Sequence, residues 1–341
     1  MPSNDAPLRA AVIGYGAYGR LHARKYRLHP AVELVAIVDR DATRLRLAAR
    51  EFPGVPGFER VDPANPPDIA SIVVPAHAHQ ASAMPLLRAG SHLLIEKPFT
   101  TSARAARQLM HEADLRHLVL QPGYLERFNG TIRELQRHLP APRYIEARRL
   151  TSWRGRGGDV SVVLDLMIHD IDMVLALVDA PITDIQARGV QVVTGHWDVA
   201  NARLYFANGC IANLTASRAS PAPERRLHVF TDDACALADL SSGEILVHRR
   251  DPEAAGVMTE HRYAQLHDPL GAEIDAFVAA VQNHAPPPVS GADACRALEV
   301  AERIVEAMED DADLLSNTAA PFTDSEQAIA YLLEHRQSHG H

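Results

Sequence analysis

The run VVLDLMIHDID, residues 162–172, sets Asp165, His169, Asp170 and Asp172 among residues that favour burial. An ionisable group buried without a partner is costly, so these side chains must line a polar cleft or satisfy one another. At helical spacing Asp165, His169 and Asp172 fall at i, i+4 and i+7 on one face, while Asp170 points elsewhere as a surface or capping group. A histidine beside a carboxylate is a workable general base, because its pKa lies near neutrality and the carboxylate can fix its tautomer. Two other readings remain open: a buried histidine with satisfied hydrogen bonds, and a metal site built on Asp and His at i, i+4. No complementary ligand cluster stands nearby in sequence, so no metal is expected.

A second set lies in IEKPF, where Glu96, Lys97 and Pro98 end an apolar run. A lysine at the carboxyl end of a parallel strand can donate to a substrate hydroxyl and favour its ionisation. A solvated Glu–Lys pair would look the same in sequence. The third set is AVIGYGAYGR, with Gly14, Gly16 and Gly19 in GxGxxG spacing and Asp39 twenty residues after Gly19. Gly14 permits a tight turn, Gly16 the approach of a pyrophosphate, and Gly19 close helix–strand packing. The helix that begins at Ala17 and Tyr18 offers unpaired N–H groups to phosphate. Asp39 can accept bonds from the adenine ribose and would repel a 2′-phosphate, which favours NAD. Arg40 could hold that phosphate, so NADP is not excluded.

These groups need a frame. Apolar runs at Ala10–Ile13, Leu34–Val38, Ile72–Val74, His92–Ile95 and Leu118–Leu120 alternate with helical stretches at Ala42–Phe52, Gln80–Ala89 and Ala103–Ala113. Continuous apolar strands joined by helices predict a doubly wound parallel α/β sheet, a Rossmann domain over residues 1–122. From Tyr144 the signals become alternating strands, with a hairpin turn at Asn208-Gly209. An α+β domain with an open, mainly antiparallel sheet is expected over residues 123–316. Its helices include VVLDLMIHDIDMVLALV, AEIDAFVAAVQNH and DACRALEVAERIVEAME, the last (about 291–309) packing on the first domain or the seam. Residues 317–341 form a tail that could be helical, with TDSEQA as its start.

The chain has 341 residues, 47% hydrophobic and 23% charged, with a formal net charge of −9. That balance argues against a nucleic-acid partner. Cys210, Cys235 and Cys295 show no metal or disulfide spacing. No apolar run reaches the ~20 residues of a membrane span, and the start of the chain lacks a signal-like pattern. A cytoplasmic protein with no membrane partner is the expectation.

Together GYGAYG, VDRD, VPAHAHQASAMPLLRAGSHLLIEKPF, GYLERFN, the Asp165-to-His169 spacing and PPVSGADACRALEVAERI resemble the Gfo/Idh/MocA oxidoreductases, sugar and inositol dehydrogenases that use a nicotinamide cofactor. The resemblance implies catalytic roles for Lys97, Asp165 and His169. It implies cofactor contacts near Pro75, His79, Glu96, Lys97 and Pro98, besides the glycine loop. It also implies a dimer or tetramer through the open sheet. Val74-Pro75-Ala76 departs from the family's Thr-Pro-Asn, so that asparagine contact is absent or replaced. GYLERFNGTIREL followed by VVLDLMIHDID looks like the branch containing UDP-N-acetylglucosamine 3-dehydrogenases, which makes Tyr124, Arg127, Asn129 and Asp172 candidate substrate residues. Arg148, Arg149, Arg154 and Arg156 add cations suited to a pyrophosphate, and Trp153 could stack on a base. Of these, Arg154 and Arg156 are expected to touch substrate. The expected reaction is oxidation of a ring hydroxyl of a UDP-sugar. A dehydrogenase of free sugars or inositols, or a non-catalytic nucleotide sensor on the same fold, are the alternatives.

Overall fold

The computed structural model of the chain describes residues 6–318 except 63, 154, 156, 157, 159, 252–255 and 266–267. Arg154, Arg156 and most of the 317–341 tail therefore lie outside the described residues. Two sheets organise the rest. The first contains β1 (Leu8–Ile13), β2 (Val32–Val38), β3 (Gly57–Phe58), β4 (Ile69–Ile72), β5 (His92–Glu96) and β6 (Leu120–Gly123), in the order 3-2-1-4-5-6 and parallel throughout. This is the doubly wound order, with its switch point between β1 and β4, where a ligand crevice opens at the strands' carboxyl ends. Helices α1 (Ala17–Leu28), α2 (Ala42–Glu51), α3 (His79–Arg88) and α4 (Ala103–Leu115) make the crossovers.

Two strands fall where the apolar runs do not. β4 is IASI, not Ile72–Val74. Ser71 is tolerated inside it because Tyr26 and His22 bond its hydroxyl. Val73 and Val74 instead leave the sheet and line the crevice. β6 is LQPG, and Pro122 fits because β6 is an edge strand.

The second sheet holds β7 (Tyr144–Leu150), β8 (Ile182–Val190), β9 (Val199–Phe206), β10 (Ile211–Ser217), β11 (Glu224–Phe230), β12 (Ala234–Asp239), β13 (Glu244–Arg250) and β14 (Val257–Tyr263), in the order 14-13-12-11-7-10-9-8. Its pairs are antiparallel except β7 with β10. Gly209, at φ +83°, turns β9 into β10. Burial alternates along the central strands: Ile145, Ala147, Ala212, Leu214, Leu227 and Val229 face the core, while Tyr144, Asn213, His228 and Phe230 lie on the opposite face. That alternation is the mark of a sheet covered on one side.

Helices α5 (Gly130–His138), α6 (Ile168–Leu177), α7 (Pro269–Gln282) and α8 (Gly291–Thr318) complete the fold. α8 bridges the halves, packing on α4 and β6 on one side and on α6 and β8 on the other. α7 sends Leu270, Ile274, Phe277, Val278 and Val281 into the same core cluster as Tyr15, Tyr26 and Leu94 of the first domain. The expected helix over VVLDLMIHDIDMVLALV is two pieces: residues Val163–Met167 form a wide π turn that runs straight into α6. Widened turns of this kind are concentrated at functional sites.

Candidate active site

The glycine-rich turn works through its backbone. Gly14 adopts φ +101°, and a Cβ there would lie 2.6 Å from the Val73 carbonyl oxygen at the end of β4. A Cβ on Gly19 would come within 1.9 Å of the Gly14 carbonyl oxygen, so α1 can sit this close to β1 only with glycine at that point. A Cβ on Gly16 would meet nothing within 4 Å, leaving open space beside the start of α1. Side chains cap α2, α4, α5 and α7, but Gly16 gives α1 none. Ala17 and Tyr18 are exposed there. Free N–H groups beside an open volume fit a pyrophosphate.

Asp39 directly follows β2 and anchors this turn. Its carboxylate accepts from Tyr15 N–H at 2.7 Å and Asp41 N–H at 2.9 Å, and Arg44 approaches at 3.3 Å. Arg40 is exposed. Arg44 was not legible as a partner, because its place depends on how α2 returns over the strand end. These residues fit a dinucleotide whose adenosine lies by β2, and a bound nicotinamide cofactor would add the hydride acceptor.

At the carboxyl end of β5, Lys97 reaches across to the π turn. Its ammonium donates to the Asp165 carbonyl oxygen at 2.7 Å and to the Asp165 carboxylate at 3.1 Å. Both side chains remain about a quarter exposed. Asp165 therefore holds the lysine, not the histidine. His169 Nδ1 is buried and has no hydrogen-bond partner among the described residues. Burial, then the positive charges of Lys97, Arg149 and Arg225, push its pKa well below the usual histidine value. Burial and the nearby cations thus hold His169 in its neutral form at pH 7.

Lys97 and Asp165 face a cleft of about 410 Å³ between the two sheets, lined by Tyr18, Val73, Val74, Glu96, Lys97, Thr151, Ser152, Trp153, Asp165 and Arg218. Thr151–Trp153 follow β7 and Arg218 follows β10; the parallel pairing of those strands brings both ends to the cleft, where Thr151 N–H bonds the Ser217 carbonyl at 2.8 Å. Arg218 escaped the sequence reading because the partnership spans some sixty residues without a local signal. A second cavity of about 500 Å³, by His92, Leu120 and His284, opens at the amino ends of β5 and β6, away from this chemistry.

Pro75 is exposed at the lip. His79 is a buried staple: its ring nitrogens lie 2.8 Å from the Val74 carbonyl and 2.9 Å from the Pro98 carbonyl, joining the loops after β4 and β5. Pro98 is itself buried. Glu96 accepts from His22 at 3.0 Å and from Lys97 N–H at 3.2 Å.

Four expectations for substrate contact give way to internal roles. Asp172 does not share the cleft with Asp165: it is buried and receives a two-pronged bond from Arg127 at 2.6 and 2.8 Å. The π turn breaks the 3.6-residue period on which the common face relied. Burial pushes the Asp172 pKa up to about 6 against the pull of Arg127. Asn129 caps α5 and bonds Glu126 and the Leu240 carbonyl. Tyr124 is fully buried. Asp170, expected at the surface, is 2% exposed and takes three bonds from Arg149, which also reaches Glu126 at 2.8 Å. Arg149 is consequently unavailable to a ligand, and Arg148 on the opposite face pairs with Glu224 at 3.4 Å. Among the described residues no group of histidine, cysteine and acid side chains is arranged to hold a metal. No helix there is long and apolar enough to cross a membrane.

Comparison with known proteins agrees with this geometry. The family model described as an oxidoreductase family with an NAD-binding Rossmann fold matches residues 8–124, and the GFO/IDH/MocA C-terminal domain matches residues 126–236. The chain is 37% identical over 312 residues to the UDP-N-acetylglucosamine 3-dehydrogenase of Acidithiobacillus ferrooxidans, covering 89% of this chain and 97% of that protein. A solved structure of that relative matches with a TM-score of 0.83 at 38% identity, over 89% of this chain and 98% of the other. The scyllo-inositol 2-dehydrogenase (NAD(+)) of Bacillus subtilis is 24% identical over 323 residues, 86% of this chain and 92% of the relative. A levoglucosan dehydrogenase in complex with NADH shares the fold, with a TM-score of 0.79 at 17% identity over 89% of this chain and 97% of that one.

Proposed function

Since the chain belongs to the GFO/IDH/MocA oxidoreductase family, we propose that it is an NAD-dependent dehydrogenase of a sugar ring hydroxyl, with a UDP-linked N-acetylhexosamine oxidised at C3 as substrate. The observation that carries this reading is the Lys97–Asp165 bridge across the cleft, with a neutral His169 beside it. Bound NAD supplies the acceptor for the hydride leaving the carbinol carbon. Lys97 donates to the reacting oxygen and stabilises the negative charge that develops on it. His169 takes the hydroxyl proton. Asp165 keeps the lysine aimed. Gly14, Gly16, Ala17, Tyr18 and Gly19 hold the pyrophosphate, Asp39 the ribose with Arg40 at its rim, and Pro75, Glu96 and Pro98 the nicotinamide end.

Trp153, 38% exposed on the cleft wall, gives a nucleotide base a surface to stack on. The 37% identical relative, named for UDP-N-acetylglucosamine, supports the same substrate class. The test follows NADH absorbance with UDP-N-acetylglucosamine, free N-acetylglucosamine and myo-inositol in parallel. Reduction of NAD with the UDP-sugar alone is expected. Turnover of free inositol alone would overturn the nucleotide-sugar assignment.

We also infer a homo-dimer or homo-tetramer in a reducing cytoplasm. The face bearing Tyr144, Phe230, His228 and Tyr205 is the side of the second sheet opposite the core, and the described cysteines are free thiols. Light scattering of the purified protein should give a multiple of the 37.3 kDa chain mass.

A further inference from the structure

Glu273 lies on α7 among apolar neighbours. It is 0% exposed, and neither carboxyl oxygen has a hydrogen-bond partner among the described residues. Its position is fixed from both sides. Gln121 of β6 donates to the Glu273 backbone carbonyl at 3.1 Å, and Ile274 and Phe277 pack into the core shared with Tyr26. A lone carboxylate in such a place would carry the full cost of desolvation, so the group stays protonated. Burial and the charge of Glu96 act on it together.

Glu96 is held from the core side by a chain of bonds. Tyr26 meets Ser71 at 2.7 Å, Ser71 meets His22 at 3.0 Å, and His22 meets Glu96 at 3.0 Å. Tyr26 and Ser71 are fully buried, so this chain is a clamp and not a route to solvent. A Cβ on Gly123 would lie 3.0 Å from the Glu96 Cα, so β6 presses on the same residue from the edge of the sheet. The ionisable groups that act on the Glu273 carboxyl are Glu96 on β5 and Tyr18 and Tyr26 on α1; of the elements packed against α7, α1 also carries His22 and the turn after β6 carries Glu126.

We propose that Glu273 is a positioning residue for the redox reaction: a fully buried carboxyl, without a side-chain partner among the described residues, that packs behind Glu96 and holds Glu96 toward the nicotinamide end of the cleft. This rests on the NAD-dependent reading. An oxidised nicotinamide is a cation and a reduced one is neutral, so the number and place of carboxylates beside it bias the affinity of one form over the other.

The test compares Glu273→Ala with the isosteric, permanently neutral Glu273→Gln. The alanine variant should lose about tenfold or more in kcat through displacement of Glu96, with little change in sugar KM, and shift the ratio of NAD to NADH affinity. The glutamine variant should restore both. A glutamine variant as impaired as the alanine one would overturn the proposal, as would an alanine variant with native kcat. Two readouts need no turnover and so separate this idea from the dehydrogenase assignment. Infrared difference spectra of native protein against Glu273→Gln at neutral pH should show loss of a protonated carboxyl band; loss of a carboxylate band instead contradicts the proposal. The sign of the pH dependence is also fixed. Glu273 keeps in the fold a proton that the unfolded chain releases above the ordinary glutamate range, so native stability falls as pH rises. Glu273→Gln should therefore melt above the native protein by about 2–4 °C or more near pH ~8 and converge with it near pH ~4. A glutamine variant that melts lower at pH ~8 would mean a charged, partnered Glu273.

Discussion

The glycine turn after β1 and the helical segment from 163 to 177 both border the cleft, yet they are built on opposite terms. The turn acts through backbone geometry: Gly14 and Gly19 are there because a Cβ would collide with a carbonyl oxygen, and Gly16 because its side is open. The helical segment acts through side chains and splits within a few residues. Asp165 faces the cleft and His169 lies within reach of the Lys97 charge, while Asp170 and Asp172 are buried against Arg149 and Arg127. A turn of this sort keeps one function per residue. A helix can carry chemistry on one face and the ion pairs that fix its orientation on its other faces.

The contrast can be broken at its catalytic side first. Lys97→Ala or His169→Asn should each reduce kcat by about 10²–10⁴-fold while NAD still binds, read by steady-state NADH formation and cofactor titration. The pKa of His169 is pushed down, so the acid limb it contributes to kcat/KM should lie below the ordinary histidine value of about 6.5, with the rate level through neutral pH.

Next in size is the structural side. Arg149→Met leaves Asp170 and Glu126 buried without their cation, at a cost of about 3–5 kcal/mol, read by chemical denaturation. In the turn, Gly19→Ala forces a Cβ against the Gly14 carbonyl, costing about 1–3 kcal/mol and weakening NAD binding far more than sugar binding. Smallest is Arg44→Ala: this half-exposed partner of Asp39 should change stability by about 0.2–1 kcal/mol, less still at high salt.

The same contrast explains what the sequence discloses. Glycine spacing, a strand-end acid and the EKP run are local signals, so the first domain and the placement of Lys97 were legible. The π turn was not, because residues 162–172 read at 3.6 residues per turn set Asp165 and Asp172 on one face, and nothing local marks Asp170 and Asp172 for buried arginine partners. Arg149 and Arg127 could not be matched to Asp170 and Asp172, since each pair joins distant elements. Strand alternation puts Arg148 and Arg149 on opposite faces of β7 but does not tell the destination of either. Pairing of β7 with β10, which brings Thr151 and Arg218 to one cleft wall, likewise lies beyond any local pattern.

The central claim is that catalysis belongs to Asp165 and His169 and folding to Asp170 and Asp172. Single-turnover hydride transfer, measured on His169→Asn and Asp172→Asn at saturating NAD and UDP-N-acetylglucosamine, tests it directly. The account predicts a rate loss of about 10²-fold or more in His169→Asn, with its melting temperature held. It predicts a near-native rate in Asp172→Asn, with a lower melting temperature. A native rate in His169→Asn, or a rate loss in a fully stable Asp172→Asn, would contradict it.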